Sequence, residues 1–313
     1  MSAGEPTVVF DAVSRWYGDT VALAEVSFTL GPGVTGMLGH NGAGKSTALK
    51  LCAGFARPSA GTVRVLGADL SRDQRAYRDI GIAHDREGLW PHLSAHETVA
   101  ALARLRGVRD PAAAATRALA TVGLTDAAGR RLGGFSHGMR QRVKLAQALA
   151  HDPRVLLLDE PLNGLDPAWR RRVVELVREL GEEGRTVLVS SHVLHEVERM
   201  APRVLVLVDG RLVARGTTAG IRDLIDDRPR EYRVLSDAPR PLARELLAAG
   251  VVDTIALGPG ALRVEVSDIH AFARAVAPAA RRAGARIERL EPLGEDLESV
   301  FRYLQDRARG ARR

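Results

Sequence analysis

The strongest constraint on the fold is a glycine-rich loop, residues 39–47, that follows an apolar stretch at 34–38 and precedes a helical pattern over 46–53. Its glycines allow successive backbone N–H groups to converge on phosphate oxygens, and the positive end of the helix adds to the attraction. Lys45 is expected to reach the outer phosphates, and the Ser46 hydroxyl a Mg²⁺ ion. A glycine-rich turn also occurs as a plain strand-to-helix connection, but the complete Gly-x-x-x-x-Gly-Lys-Ser pattern favours a nucleotide site.

The whole loop is therefore a candidate nucleotide ligand: Gly39, His40, Asn41, Gly42, Ala43, Gly44, Lys45, Ser46 and Thr47. The chain's only lysines are Lys45, Lys50 and Lys144, and arginine is used everywhere else. Lysine supplies a compact point charge, whereas arginine supplies a planar fork. A lysine inside the loop supports its assignment as a phosphate ligand.

The composition is that of a globular protein with one large and one smaller domain. At 313 residues, 45% of them hydrophobic and 27% charged, the chain is long enough to bury a substantial core. Cys52 is the only cysteine, so no intrachain disulfide forms and a reducing cytoplasm is expected. Residues 1–7 lack an apolar targeting core, and no run of about 18 apolar residues occurs, so the chain is not expected to cross a membrane alone.

The net charge leaves two interpretations open. It is formally +7, with a sequence pI of about 10.2. Such a balance fits an anionic partner such as nucleic acid or a lipid surface. The arginines are dispersed along the chain, which favours a solvated arginine-rich surface instead.

Short β-branched runs alternate with helical patterns through about the first 220 residues, which predicts an α/β domain with a largely parallel sheet. The predicted strands span 7–10, 34–38, 81–83, 155–158, 186–189 and 204–207. Between residues 87 and 150 the pattern changes to helices, predicted at 95–106, 111–122 and 139–150. We interpret this stretch as a helical insertion.

A second unit is predicted after a charged stretch at 222–230, where Asp-Asp-Arg-Pro indicates a turn or linker. The predicted elements are strand 231–235, helix 239–249, strands 252–257 and 262–266, helix 269–283 and strand 286–290. Their βαββαβ order is that of a small ferredoxin-like α+β domain, and an amphipathic helix over 296–307 closes it. The predicted domains are thus 1–225 and 230–313. A role for the second as a dimer brace or spacer is favoured over the binding of a small regulator.

The apolar stretch at 155–158 ends in two adjacent carboxylates, Asp159 and Glu160. Ligands of open α/β sheets bind at such strand ends. Asp159 is interpreted as a ligand of Mg²⁺, through water, and Glu160 as the group that orients or deprotonates an attacking water. Acidic pairs also occur as helix caps or on solvated surfaces, and the pair alone does not decide between these.

Four further motifs follow the pattern of one family: RWYG at 15–18, FSHGM at 135–139, PLNGLD at 161–166 and SSH at 190–192. With them the chain resembles the nucleotide-binding subunit of ATP-binding cassette (ABC) transporters over about residues 7–220. The resemblance implies a P-loop ABC ATPase domain with a mixed sheet, and Tyr17 stacked on adenine. It also implies that Ser136, His137 and Gly138 grip the γ-phosphate of a nucleotide held by a second copy. Ser136 is equally suited to cap the following helix, and the two roles are compatible.

The resemblance assigns 161–166 to a loop that connects the two active sites of a dimer, with Asp166 at the nucleotide and Asn163 where serine is more usual. His192 becomes the switch histidine that contacts the γ-phosphate and orients the water. A histidine after a strand is more often a hydrogen-bonded structural residue, but the accompanying motifs favour the catalytic role. The implied catalytic residues are Glu160, His192 and Lys45.

Two segments depart from the family pattern. Asp85 stands where the family has a metal-contacting glutamine. Aspartate coordinates Mg²⁺ directly, but it adds a negative charge and has a shorter reach. In the signature, His137 replaces a glycine and Met139 a glutamine, as in subunits that serve certain bacterial exporters. The implied metal ligands are Ser46, Asp85 and Asp159, with ATP and Mg²⁺ as cofactors.

The resemblance implies an ATPase that drives export through a separate transmembrane permease, at the cytoplasmic face of the membrane. Two copies would close head to tail around two ATP molecules, and residues 84–92 would contact the permease. Within that segment, Leu89 and Trp90 fit either the permease contact or local packing equally well. No nucleic-acid partner is expected. Two alternatives are a soluble ABC ATPase acting on nucleic acid or the ribosome, supported by the basic pI alone, and a non-hydrolysing scaffold that uses ATP only to dimerise.

Overall fold

A computed structural model describes residues 6–70, 72–84, 88–221 and 230–293. The chain divides into two compact units, the first ending at Thr218 and the second beginning at Ala219. Asp85 lies outside the described residues, as do the helix predicted over 296–307 and nearly all of the predicted linker. Within the described ranges, no helix has the length and apolarity needed to cross a lipid bilayer.

The first unit contains nine strands, six α-helices and three short 3₁₀ helices in the described ranges. The strands are β1 (Val8–Tyr17), β2 (Thr20–Leu30), β3 (Gly33–Leu38), β4 (Ala60–Val65), β5 (Ile80–Ala83), β6 (Val155–Asp159), β7 (Thr186–Ser191), β8 (Arg203–Val208) and β9 (Arg211–Thr217). The helices are α1 (Lys45–Cys52), α2 (Ala95–Leu105), α3 (Pro111–Thr121), α4 (His137–Leu149), α5 (Pro167–Glu182) and α6 (Leu194–Met200).

A six-stranded sheet carries the ends of the predicted motifs. Its order is β5–β6–β7–β3–β8–β9, with five parallel strands and β9 antiparallel to β8. The predicted mixed sheet is therefore confirmed. Strands β6 and β7 are buried along their whole length, as expected for parallel strands covered on both faces. Because the carboxyl ends of parallel strands meet at one edge, the segments that follow β3, β6 and β7 come together there.

A second, antiparallel sheet of order β2–β1–β4 was not predicted as such. Only the start of β1 was predicted, and β2 and β4 were missed. In β2 buried and exposed residues alternate over much of its length, which gives a weaker apolar signal than a fully buried strand. Phe10 and Phe28 stack inside this unit with ring centroids 4.4 Å apart, and β1 ends at Tyr17, beside the predicted base-binding loop.

Helices α2, α3 and α4 lie between β5 and β6 in the chain, which confirms the predicted helical insertion. Each has a side-chain cap at its N-terminus. Ser94 forms a reciprocal capping box with Glu97, Asp110 accepts from the Ala113 N–H, and Ser136 begins α4. Such caps satisfy backbone donors that the helix itself leaves free.

The second unit contains β10 (Arg230–Ser236), α7 (Pro239–Ala248), β11 (Thr254–Gly258), β12 (Ala261–Val266), α8 (Ile269–Ala283) and β13 (Ile287–Leu293). Its sheet has the order β11–β12–β10–β13, and all its neighbouring strands are antiparallel. Its core includes Val234, Leu246, Val264 and Phe272. The assignment of this unit to the ferredoxin-like class stays a prediction.

Candidate functional site

The loop between β3 and α1 has the conformation that phosphate binding needs. Gly42 and Gly44 have φ angles of 88° and 104°, a region that residues with side chains rarely adopt. A Cβ on Gly44 would also lie only 2.6 Å from the Ala22 carbonyl oxygen. Helix α1 begins without a side-chain cap, so its first-turn N–H groups point toward a place where an anion is favoured.

Lys45 connects this loop to the acidic pair at the end of β6. Its side chain is only 6% exposed, and Nζ donates to the Gly39 carbonyl oxygen at 2.7 Å and to that of His40 at 3.3 Å. The same Nζ lies 3.4 Å from Glu160 Oε1. A buried ammonium surrounded by oxygen atoms is suited to bind a further anionic oxygen, such as that of a phosphate.

The Glu160 carboxylate lies between the Lys45 ammonium and the His192 imidazole. While Oε1 faces Lys45, Oε2 lies 3.0 Å from His192 Nδ1. Its backbone φ is +48°, which is uncommon for a residue with a side chain and persists only where the surroundings enforce it. Ser190 supplies part of that enforcement, because its Oγ and its carbonyl oxygen accept from the Glu160 N–H at 3.0 and 3.2 Å.

Asp159 is 1% exposed and has one satisfied oxygen. The Ser190 hydroxyl donates to Oδ1 at 2.6 Å. Its Oδ2 has no hydrogen-bond donor among the described residues, and His84 Nδ1 lies 4.0 Å away. A buried carboxylate oxygen without a donor is unfavourable, and a metal ion or its bound water would satisfy it.

No three His, Cys, Asp or Glu side chains cluster in a metal-binding arrangement in the part of the chain that the structure describes. Mg²⁺ commonly uses only one or two protein carboxylates and completes its shell with water and phosphate oxygens. The chemistry around Asp159 fits such an ion. Ser46 is half-buried in the loop, and Asp85 lies outside the described residues.

Ser190 is a site residue to which the sequence analysis gave no role. It contacts both acidic residues, since its hydroxyl donates to the Asp159 side chain and accepts from the backbone N–H of Glu160. The feature that would have revealed its role is the strand register, because Asp159 and Ser190 are direct partners in the parallel pairing of β6 and β7. That register depends on which strands become neighbours, and so on the tertiary fold.

The aromatic loop presents an exposed ring at the end of β1. Tyr17 is 44% exposed, and the Arg15 guanidinium carbon lies 4.3 Å from the ring centroid. Arg15, to which the sequence pattern gave no role, covers one part of the ring through a cation–π contact. The neighbouring Trp16 is 46% exposed. Both side chains are accessible to a flat ligand.

The signature residues lie at the N-terminus of α4, against the loop that follows β6. Ser136 Oγ accepts from the Met139 N–H at 3.2 Å, and Ser136 and His137 are exposed. A Cβ on Gly164 would lie 1.8 Å from His137 Cδ2, so the imidazole covers the Gly164 backbone. Gly138 also approaches this loop, since a Cβ there would lie 2.8 Å from the Gly164 carbonyl oxygen. The described contacts of these residues thus join them to their own chain's loop at 163–165.

Asp166, predicted as a nucleotide ligand, caps α5. Its Oδ1 accepts from the Ala168 and Trp169 N–H groups, both at 3.0 Å. The structure therefore brings Lys45, Asp159, Glu160 and His192 together, and places Ser136, His137, Gly138 and Asp166 elsewhere, at helix N-termini. A nucleotide contact from the second group stays a prediction.

Comparison with known proteins identifies the family. The family model described as ABC transporter matches residues 23–163. The Nod factor export ATP-binding protein I of Burkholderia orbicola (strain AU 1054) is 35% identical over 269 residues, which cover 85% of this chain and 81% of that protein. The bacitracin transport ATP-binding protein BcrA of Enterococcus faecalis is 31% identical, and the match covers 96% of each.

A solved structure shows the same fold. The dimeric structure of MJ0796, a bacterial ABC transporter cassette, aligns with a TM-score of 0.62 and 26% identity, covering 67% of this chain and 98% of that cassette. The same cassette in a post-hydrolysis state bound to ADP and Pi aligns with a TM-score of 0.61. These likenesses confirm the predicted fold and the ATPase activity. The chain therefore belongs to the ABC transporter family, as one of its ATP-binding and ATP-hydrolysing subunits.

Proposed function

We propose that this subunit hydrolyses ATP at the Lys45–Glu160–His192 cluster and thereby drives export through a separate membrane permease. The observation that carries the proposal is the placement of one carboxylate between an ammonium and an imidazole, with Oε1 3.4 Å from Lys45 Nζ and Oε2 3.0 Å from His192 Nδ1. A carboxylate fixed at both oxygens is oriented before its substrate arrives, as a general base must be.

Lys45 and the backbone of residues 39–47 bind the phosphates, and Tyr17 stacks on the adenine. Ser46, Asp159 and Asp85 are the residues that would hold Mg²⁺, and the bound ion would supply positive charge to stabilise the transferred phosphoryl group. The undonated Oδ2 of Asp159 supports this assignment. Glu160 orients the attacking water and takes up its proton, while the Lys45 ammonium stabilises phosphate charge.

The position of His192 determines how many protons its imidazole must carry. Its Nδ1 faces Glu160 Oε2 at 3.0 Å, and its side chain is 43% exposed, so its other nitrogen is accessible to a γ-phosphate. A neutral imidazole has one donor and one acceptor nitrogen, whereas an imidazolium has two donors. To donate to the carboxylate and to a phosphate together, the ring must carry both protons.

Two copies close head to tail, so that Ser136, His137 and Gly138 of one copy meet the phosphates held by Lys45 of the other. The exposed position of Ser136 at a helix N-terminus suits an anion, and the dimeric structure of the MJ0796 cassette supports pairing of such subunits. Asp166 lies in the same interface in this proposal.

The export direction follows the relatives, whose names state Nod factor export and bacitracin transport. The permease is a separate subunit that binds residues 84–92, where Trp90 is exposed. The subunit then sits at the cytoplasmic face of the membrane. Action on nucleic acid has only the basic pI in its favour, and no nucleic-acid partner is part of the proposal.

The test is the variant Glu160→Gln, which keeps the shape of the side chain and removes its basicity. Mg²⁺-dependent ATP turnover should fall by about 10²- to 10⁴-fold, the range for loss of a general base, while ATP binding and ATP-dependent dimerisation remain. Glu179→Gln, at an exposed position of α5, is a matched control that should keep normal turnover. Normal turnover in Glu160→Gln would remove Glu160 from the mechanism.

Transport is tested separately, by tagging the chain at its native level and identifying what co-purifies from detergent-solubilised membranes. A stoichiometric multi-span protein is expected. Recovery with ribosomes or nucleic acid, and with no membrane protein, would overturn the export proposal while leaving the ATPase assignment intact.

A further inference from the structure

A buried glutamine joins the signature helix to the residue that we propose as the base. Gln141 lies one turn into α4 and is 1% exposed. Its Nε2 donates to the Glu160 carbonyl oxygen at 3.1 Å. The two residues belong to different parts of the first unit, because α4 is part of the helical insertion and Glu160 follows β6 of the central sheet.

Gln141 binds the carbonyl of Glu160, a residue whose backbone has a positive φ angle. With φ at +48°, this carbonyl accepts from Gln141 Nε2 and from the Asn163 N–H, both at 3.1 Å. The N–H of Glu160 is held by Ser190 on the opposite side. The direction of a side chain follows from its backbone, so the donor on α4 helps to set where the Glu160 carboxylate points.

The rest of the Gln141 environment argues against a purely structural role. Its Oε1 is buried and has no hydrogen-bond donor among the described residues. An unsatisfied buried acceptor is destabilising, and an apolar side chain of similar size would avoid it. For stability alone, leucine or methionine would serve better at this position, so the useful group is the amide donor.

The same helix turn is interlocked with the loop that follows Glu160. The His137 ring covers the Gly164 backbone, and Gly138 approaches the Gly164 carbonyl oxygen so closely that a Cβ would lie 2.8 Å from it. A displacement of the first turn of α4 therefore moves both the loop at 163–165 and the Gln141 donor. Side chains in close contact transmit such shifts because packed interiors do not deform freely.

We propose that Gln141 is a positioning residue for Glu160. Its amide holds the Glu160 carbonyl against α4. When a nucleotide bound to a second copy contacts the first turn of α4 at Ser136, this hydrogen bond aligns the Glu160 carboxylate of the same chain. Each subunit has its own active site around Glu160, and its Ser136 completes the active site of the second copy. One hydrogen bond within the chain, from Gln141 to Glu160, thereby couples these two sites. This inference rests on the proposed role of Glu160.

The test compares Gln141→Leu with Gln147→Leu, a half-buried glutamine farther along the same helix. Gln141→Leu should lower kcat about 10- to 100-fold, the loss expected when a reacting group is displaced by about 1 Å. Its KM for ATP should stay within about twofold, since described contacts of Gln141 reach Glu160 and not the phosphate loop. Its thermal midpoint should be equal or higher, and Gln147→Leu should match the parent protein in all three.

A merely structural role predicts a different result. A kcat of Gln141→Leu within about twofold of the parent, or a loss of kcat that tracks a lowered thermal midpoint, would overturn the inference. If Gln141→Leu does not fold, Gln141→Met, which is unbranched and of equal length, is measured in the same way and judged by the same criteria.

A double-mutant cycle separates this inference from the proposed function. If Gln141 acts through Glu160, adding Gln141→Leu to Glu160→Gln should leave the residual turnover unchanged within about twofold, because the group it positions is already disabled. A further loss of tenfold or more would show that Gln141 acts elsewhere. Full activity of Glu160→Gln alone would instead refute the proposed function, and a slow Glu160→Gln beside a normal Gln141→Leu would refute only this inference.

Discussion

Replacing Ser190 with alanine removes a single hydroxyl that serves both acidic residues. Ser190 is fully buried, donates to Asp159 Oδ1 at 2.6 Å and accepts from the Glu160 N–H at 3.0 Å. After the change, neither oxygen of the buried Asp159 carboxylate would have a donor among the described residues, since Oδ2 already lacks one. The Glu160 N–H would keep the Ser190 carbonyl oxygen at 3.2 Å.

The magnitude follows from these contacts. A hydrogen bond to a charged group contributes about 1.5–3 kcal/mol, and a buried charge left without a donor adds to the loss. The backbone part is small because a second acceptor remains. We therefore expect the free energy of unfolding to fall by about 2–3 kcal/mol, which lowers the thermal midpoint of a unit of this size by roughly 4–12 °C.

The assay is urea unfolding of the full chain followed by tryptophan fluorescence. Trp16, Trp90 and Trp169 are the chain's only tryptophans and all lie in the first unit, so the signal reports that unit. The matched control is Ser27→Ala, an exposed serine that accepts one backbone N–H at 2.8 Å and should lose about 1 kcal/mol or less. A loss in Ser190→Ala no larger than in Ser27→Ala would refute the reasoning.

Two further predictions concern the loop at 163–165 and a half-buried histidine, His151. Gly164→Ala should impair ATP-dependent dimerisation, measured by size-exclusion chromatography, because Gly164 has φ +71° and the new Cβ would collide with His137. Adding His137→Gly should restore part of the dimerisation. Normal dimerisation of Gly164→Ala alone would contradict the described packing. Burial lowers the pKa of His151 below its usual 6.5. The unfolded chain therefore takes up the proton first, and stability should fall as pH drops below about 6.5. His151→Gln, which still reaches the Ile80 carbonyl, should lose that part of the acid sensitivity in urea unfolding at pH 7.5 and 5.5, whereas exposed His195→Gln should keep it; equal pH dependence in both variants would contradict the assignment.

Local chemistry made much of the fold predictable. The central strands were found because parallel strands covered on both faces are continuous apolar runs, as in β6 and β7. The helical insertion was found from the helical period of its apolar residues. Strands β2 and β4 were missed because half-exposed strands give a weaker apolar signal.

The sequence by itself determined the groups whose function depends on neighbours along the chain. The curl of the phosphate loop needs its glycines in order, and Lys45 and Ser46 take their places from the helix start that follows. Likewise, Asp159 and Glu160 sit at a strand end because the apolar run stops there. These are short-range consequences of backbone geometry, which a pattern of residues encodes directly.

Only the tertiary structure decided which distant groups meet. Ser190 reaches Asp159 through the pairing of β6 with β7, and Gln141 reaches Glu160 through the packing of α4 on the central sheet. Neither serine nor glutamine has a local signal that predicts its partner. Such contacts form because burial of apolar surface brings separate elements together, and buried polar groups must then find their hydrogen bonds with whatever lies opposite.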